Sequence, residues 1–270
     1  MATRKSRHNV SVDEDGRSLY IPRDGVLDDP YGGWAPRDLD VFSSSAVQRL
    51  PLGTRLEFGD GRVYRYAKMG ATVGVAGNLY QAKAPLANHN NRTATAAYAA
   101  GATSVALDVG ATAASANDYA GGYLHWNDVA PEGHAHQIKT SAAAAGSDSL
   151  AVVLWETDAL KAAATTSSEG TLTFNRWSAV IIHPSPPTAV LAGVTPWAVT
   201  AAHYFWMQVR GPAAVLTQGT LVIGDFCVPS ATVDGAVMPS AAFETDGPYV
   251  GIVRSVNADT EYSLIDLQLE

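Results

Sequence analysis

His125, His134 and His136 fall close together, with Asp128 and Glu132 between them. In an extended chain His134 and His136 would share one face, and with His125 they could hold a divalent transition metal. The stretch has no His-x-x-x-His and no cysteine at ligand spacing, so ordinary polar residues on an exposed hairpin are the better reading. Acid–base chemistry needs a selected carboxylate pair. With 26 Asp plus Glu in the chain, a pair such as Asp225 and Asp234 can be named, but nothing singles it out. Cys227 is the single cysteine, so it has no partner for an internal disulfide and reads as a small buried apolar residue. Gly70, Gly74 and Gly77 are spaced loosely like a phosphate loop. No Gly-Lys-Ser/Thr or Gly-x-Gly-x-x-Gly accompanies them, so they read as turn glycines. Nor is there a Gly-x-Ser-x-Gly, a His-Glu-x-x-His or a Cys-x-x-Cys. The expectation is a chain that is not an enzyme, with no catalytic, cofactor-binding or metal residue and no cofactor. Asn9-Val10-Ser11 and Asn91-Arg92-Thr93 match the glycosylation pattern. The basic, polar start from Met1 to Val10 is no secretory signal, so both read as chance matches in a protein of a reducing cytosol.

The elements that would carry these residues read as short strands. Phe205, Met207 and Val209 alternate with Tyr204, Trp206, Gln208 and Arg210 at the period of two that marks a strand with two different faces. Further runs lie at Thr220–Ile223, at Val250–Val253 and at the end of the chain. In the last, Ile265, Leu267 and Leu269 share one face while Leu264, Asp266 and Gln268 share the other. Upstream, Arg55–Phe58 and Arg62–Ala67 flank Gly59-Asp60-Gly61, a β-hairpin, and Leu79–Ala82 reads as a further strand. Residues 94–182 are rich in Ala, Thr, Ser and Gly. A propensity count would make them helical, yet 104–109, 122–127, 136–139, 149–154 and 171–174 are alternating or apolar runs between turn residues. That spacing belongs to a small sandwich or barrel, with one or two helical turns at 111–118 and 158–164. Pro184, Pro186 and Pro187 mark a boundary. The expected fold is all-β: a barrel or sandwich domain of residues 47–93 plus 183–270, with a second small β domain, 94–182, inserted into it.

Residues 1–46 are broken by Pro22, Asp24-Gly25, Asp28-Asp29-Pro30, Gly32-Gly33 and Pro36, so no period survives. Tyr20, Tyr31, Trp34, Leu39 and Phe42 are nevertheless spaced through them, more large apolar groups than a free tail carries. An extended N-terminal arm that lays these anchors on another surface fits the pattern. A loop wrapped over its own domain fits it equally. Trp34 is the foremost intermolecular candidate, since tryptophan is enriched at interface hot spots. The 270 residues are 47% hydrophobic, enough for a real core, and carry a net charge of −8. An acidic balance argues against a nucleic-acid partner, and no apolar run reaches the length that would cross a bilayer.

Three stretches carry a resemblance. They are Leu52-Gly53-Thr54-Arg55 with Asp60–Lys68; Gly101–Val105, Ala120–Leu124, Asn127-Asp128 and Glu132-Gly133; and Tyr204–Trp206, Arg210-Gly211-Pro212, Gly219–Gly224 and Val250–Ile252. In them the chain resembles the head decoration, or cement, proteins of tailed bacteriophages over about residues 47–270. The shared features are structural glycines and strand faces. The resemblance implies an all-β virion protein on the outer surface of an icosahedral capsid, assembled in the host cytoplasm and commonly a homotrimer. It would bridge neighbouring subunits of the major capsid protein. Two other readings stand beside it: a receptor- or glycan-binding virion module, such as a head fibre or tail component, and, ranked below both, a carbohydrate-active enzyme on a β scaffold.

Overall fold

The computed structural model describes residues 10–12, 18–20, 40–240 and 248–270, with side chains described from Asp40 onward. It is all-β as expected, 42% strand and 3% helical. Two compact units divide the chain, Met1–Lys83 with Arg176–Glu270, and Ala84–Asn175. Both boundaries precede the expected 93/94 and 182/183. Arg92–Thr93 pairs with Glu169–Gly170 inside the inserted unit, whereas Ile181–Ile182 pairs with Tyr80–Gln81 of the other. Backbone pairing decides the boundaries, and composition does not reveal it.

The discontinuous unit holds β1 (Val10–Val12), β2 (Ser18–Tyr20), β3 (Ser44–Ser45), β4 (Arg55–Glu57), β5 (Val63–Lys68) and β6 (Leu79–Gln81) before the insertion. After it come β13 (Ile181–Ile182), β14 (Leu191–Val194), β15 (Tyr204–Leu216), β16 (Phe226–Pro229), β17 (Val237–Pro239), β18 (Gly251–Ser255) and β19 (Tyr262–Gln268). All belong to one sheet whose main path runs β1-β2-β4-β5-β15-β19-β18-β16-β17. The strand β15 is its spine. Its first half pairs with β5, β3 and β14, and its second half with β19. The sheet curls back on itself, because Thr217, just past β15, bridges Val237 of β17. Val215, Cys227, Val237, Val253, Ile265 and Leu267 fill the curl. The expected alternation at the start of β15 is present, but Trp206 and Gln208 are as deeply buried as Phe205 and Met207. Here the strand is covered on both faces.

Two expectations about the strands of this unit are corrected. The broken pattern of residues 1–46 predicts no regular structure, yet β1 and β2 form an antiparallel pair, and β2 pairs with β4 from Ser18–Glu57 to Tyr20–Arg55. Val-Ser-Val and Ser-Leu-Tyr are strand-forming triplets, and the open edge of β4 offers them unpaired backbone groups. Thr220–Ile223 is not a strand. It leads into the turn before β16 and leaves Val222 and Ile223 exposed.

The inserted unit is a small barrel of β7 (Arg92–Thr93), β8 (Ser104–Asp108), β9 (Tyr123–Asp128), β10 (Ala135–Ser141), β11 (Ser149–Leu154) and β12 (Glu169–Thr173), in the order β7-β12-β9-β10-β11-β8. A bridge between Ala94 and Leu107 brings the end of β7 back to β8 and closes the ring. Leu107, Leu124, Trp126, Ile138, Leu150 and Leu172 fill it.

The small-residue texture has a structural cause. Three isolated antiparallel bridges join Gly74 to Val199, Tyr98 to Ala164 and Ala114 to Ala144. Each is reciprocated, with N–H···O distances of 2.7 and 3.1 Å in the first and 2.9 Å in the others. Three residues beyond the bridge, five of the six limbs enter the left-handed region, at Gly77, Gly101, Asn117, Ser147 and Ala202. The amide there reaches the opposite limb. Gly77 donates to Thr195 and Ala202 to Gly70 at 2.8 Å, while Gly101 donates to Leu160 and Ser147 to Gly110 at 2.7 Å. Two limbs crossing this closely favour Gly and Ala at the bridge, and each then turns into a strand. The expected helical turns at 111–118 and 158–164 are limbs of these clasps instead, apart from a single 3-10 turn at Glu156–Asp158.

Close strand approach makes a direct test. A Cβ on Gly251 would lie 2.3 Å from the carbonyl oxygen of Asp266 on the paired strand, whereas one on Gly59 would meet nothing within 4 Å. Gly251→Ala is expected to destabilise the fold by about 1–3 kcal/mol. Gly59→Ala should change it by less than about 0.5 kcal/mol, both read from chemical denaturation midpoints.

Candidate partner interface

From Val209 onward β15 alternates strictly. Val209, Gly211, Ala213 and Val215 are buried, with Ala213 and Val215 in the curl, and Arg210, Pro212, Ala214 and Leu216 point out. Register carries this parity across the sheet. Pro212 lies opposite Asp266, Ala214 opposite Leu264 and Leu216 opposite Tyr262 on β19. Ile252 of β18 lies opposite Asp266, and Phe226 of β16 opposite Ile252. An antiparallel sheet with one face on its core ordinarily turns polar side chains outward. Here the outward positions are mostly apolar, with Phe226, Tyr262 and Leu264 exposed by 45%, 43% and 36%. Phe226 also meets the Tyr249 ring edge-to-face, centroids 5.0 Å apart.

At the Arg210 end of this face lies a cleft of about 590 Å3, lined by Asp60 and Gly61 from the β4–β5 turn, by Arg210 and Tyr249, and by Arg254, Asp266 and Glu270. Two of its carboxylates are held by neighbours. Arg62 Nε donates to Asp60 Oδ2 at 2.7 Å. Desolvation opposes ionisation of Asp60, but hydrogen bonds from the Arg62 amide and guanidinium outweigh it and hold the carboxyl below its ordinary value. Arg65 grips Glu270 with two nitrogens, Nε to Oε1 at 2.9 Å and Nη2 to Oε2 at 2.7 Å, and donates Nη1 to the Gly53 carbonyl at 2.8 Å. The guanidinium groups of Arg65 and Arg176 lie 5.2 and 5.5 Å from the Trp177 ring. This bidentate pair and its aromatic shelf fasten the end of the chain to β5. Burial, assisted by the nearby Asp266 charge, raises the Tyr249 phenol above its ordinary range.

The residues singled out from the sequence are dispersed. Tyr20 ends β2, opposite Arg55. Tyr31, Trp34 and Leu39 lie outside the described residues. Phe42 is 58% exposed. It sits between Asp40 and Ser43, which line a crevice of about 320 Å3 with Arg49 and Tyr204. Rings of His134 and His136 are 6.1 Å apart, and the His136 Nδ1 lies 2.9 Å from the Asp158 carbonyl. His125, opposite Ala135, faces away from the barrel interior into which His136 points. Strand parity therefore sets His125 apart from His134 and His136. Among the described residues no group of three or more His, Cys, Asp or Glu is placed to hold a metal. Asp234 accepts from Ser185 Oγ at 2.7 Å, and the turn at Asp225 does not pair with it. Asn91 is bound up in side-chain contacts, its amide donating to Thr171 Oγ1 at 2.9 Å.

The outer face escaped the sequence reading. Its signal was present in Leu264, a large apolar residue at the polar parity of the last strand. Comparison with known protein families, with curated proteins and with solved structures finds no match to this chain.

Cys227 supplies a probe of the fold beneath this face. It is fully buried, its Sγ lies 3.4 Å from the Gly251 carbonyl, and burial pushes the thiol up to about 12. Native protein at pH 8 is expected to resist alkylation, with labelling only as fast as the curled sheet opens. Ionisation is then easier in the unfolded chain, so this thiol lowers stability as pH rises from its ordinary value of 9.0 toward about 12. Replacing Cys227 with Ala should flatten that alkaline decline in a denaturation series.

Proposed function

We propose that this chain is a structural, non-enzymatic virion protein of a tailed bacteriophage. It binds the outer surface of the capsid and stabilises contacts between subunits of the major capsid protein. The observation that carries the reading is the apolar outer face of β15, β19, β18 and β16. Large apolar side chains exposed on a sheet that already covers its own core mark a surface made for another protein. The scaffold behind it suits that role, since β15 is paired on both edges, the chain end is pinned by Arg65, and the buried thiol needs no oxidising compartment. A protein repeated over a lattice needs only modest affinity per copy, because multivalency multiplies it. Assembly as a homotrimer would agree with a lattice of local three-fold sites.

The test is co-sedimentation of the full chain with expanded, undecorated capsids of its own virus. Saturable binding is expected, together with greater resistance of the capsids to heat-induced DNA release. Phe226→Ser with Leu264→Ser should weaken binding at least about tenfold while the protein stays folded. Failure to bind such capsids, with capture instead on a glycan array, would replace this reading with the receptor-binding one.

A further inference from the structure

We infer that the Arg210–Arg254 cleft receives a carboxylate of the partner protein, an Asp or Glu side chain carried on an extended and otherwise apolar segment. This rests on the reading of the outer face as capsid-binding and names the polar anchor of that contact. Arg210 and Arg254 line one end of the face and are exposed. Among the described residues neither guanidinium has an ion-pair or side-chain hydrogen-bond partner. The other charges of the cleft are spoken for, with one exception. Asp60 is bound to Arg62 and Glu270 to Arg65, each at 2.7 Å, which leaves Asp266 half-buried at the base. Two guanidinium side chains without a partner therefore face one carboxylate side chain without a partner at this end, in a chain whose formal charge is −8.

An arginine fork matches a carboxylate in plane and spacing, and its strength grows as water is excluded. The row Pro212, Asp266, Ile252 and Phe226 leads directly from the cleft onto the apolar face. A segment seated along that row would place its carboxylate at Arg210 and Arg254 and its apolar residues on Ile252, Phe226 and Leu264. Tyr249, whose ring packs on Phe226 and whose residue also lines the cleft, joins the two parts. A cleft of about 590 Å3 is wide enough for several residues of such a segment. Charge complementarity thus selects an acidic partner segment over a basic one, and the neighbouring apolar row selects a peptide over a free small anion.

The experiment compares the full-length wild type with Arg210→Glu/Arg254→Glu and Arg210→Lys/Arg254→Lys for binding to undecorated capsids, with ionic strength raised from about 50 to 500 mM. Because the two arginines have no partners within the described fold, the lysine pair should match the thermal midpoint of the wild type, and the reversed variant should stay folded with a cooperative transition. Capsid binding should fall at least about thirtyfold on charge reversal and by an intermediate factor in the lysine pair, which keeps the charge but loses the fork. Salt should weaken the wild type and leave the reversed variant flat. Wild-type binding with an unaffected Arg210→Glu/Arg254→Glu variant overturns the carboxylate site alone. A wild type that binds no capsid overturns both this inference and the proposed function. Two further results would also overturn it: loss of self-association on charge reversal, which would make a second copy the occupant, and wild-type capture of a carboxylated sugar on an array, abolished in the reversed variant.

Discussion

Everything in the discontinuous unit depends on one strand finding hydrogen-bond partners along both edges. At about 3.3 Å per residue, the thirteen residues of Tyr204–Leu216 span roughly twice the length of an ordinary strand. No single neighbour could satisfy them. The chain shares the pairing out, with β5, β3 and β14 on the first half and β19 on the second. Two packing regimes follow. Where partners crowd the first half, Phe205 to Val209 are buried without alternation. Where only the curl lies behind, the parity of Val209 to Leu216 returns and one side is left facing out. The outer face is a direct consequence of the spine outrunning its cover.

That face has two chemical ends. Phe226, Ile252, Leu264 and Tyr262 offer area without direction, which supplies affinity and little specificity. Arg210, Arg254 and Asp266 at the other end offer direction without much area. Interfaces that join an apolar patch to a charged anchor gain register from the second and strength from the first. The Arg65–Glu270 pair matters here indirectly. It holds the chain end beside the cleft, so the walls are set by the fold before any partner arrives, which lowers the ordering cost of association.

Much of the architecture was legible in the sequence. The hairpin across Gly59-Asp60-Gly61, the period of two at Tyr204–Arg210 and the apolar runs at 104–109 and 149–154 each depend on local side-chain alternation, and local alternation is what a sequence shows. Other features depend on pairing between distant residues and were not legible. Val10–Val12 and Ser18–Tyr20 become strands only because β4 has a free edge, and Thr220–Ile223 has strand composition but no strand to pair with among the described residues. Alanine-rich limbs around Ala114 and Ala164 have helical propensity, yet a reciprocated bridge to a segment 30 or 66 residues away overrides it. The same logic holds at the candidate sites. The spacing of His125, His134 and His136 hinted at convergence, but the register of β9 on β10 sends His125 to the opposite face. Leu264 was visible as an apolar residue at a polar parity. Arg210 and Arg254 came to line one cleft only once β15, β19 and β18 were aligned.

The central claim is that the outward side of β15, β19, β18 and β16 is an adhesive surface on a rigid scaffold. Hydroxyl-radical footprinting of the protein, free and assembled on capsids, reads that surface side chain by side chain. The account predicts that Phe226, Tyr249, Tyr262 and Leu264 lose reactivity on assembly while Tyr123 and Val153 of the inserted barrel keep theirs. Unchanged reactivity at Phe226 and Leu264, with protection confined to the inserted barrel, would contradict it.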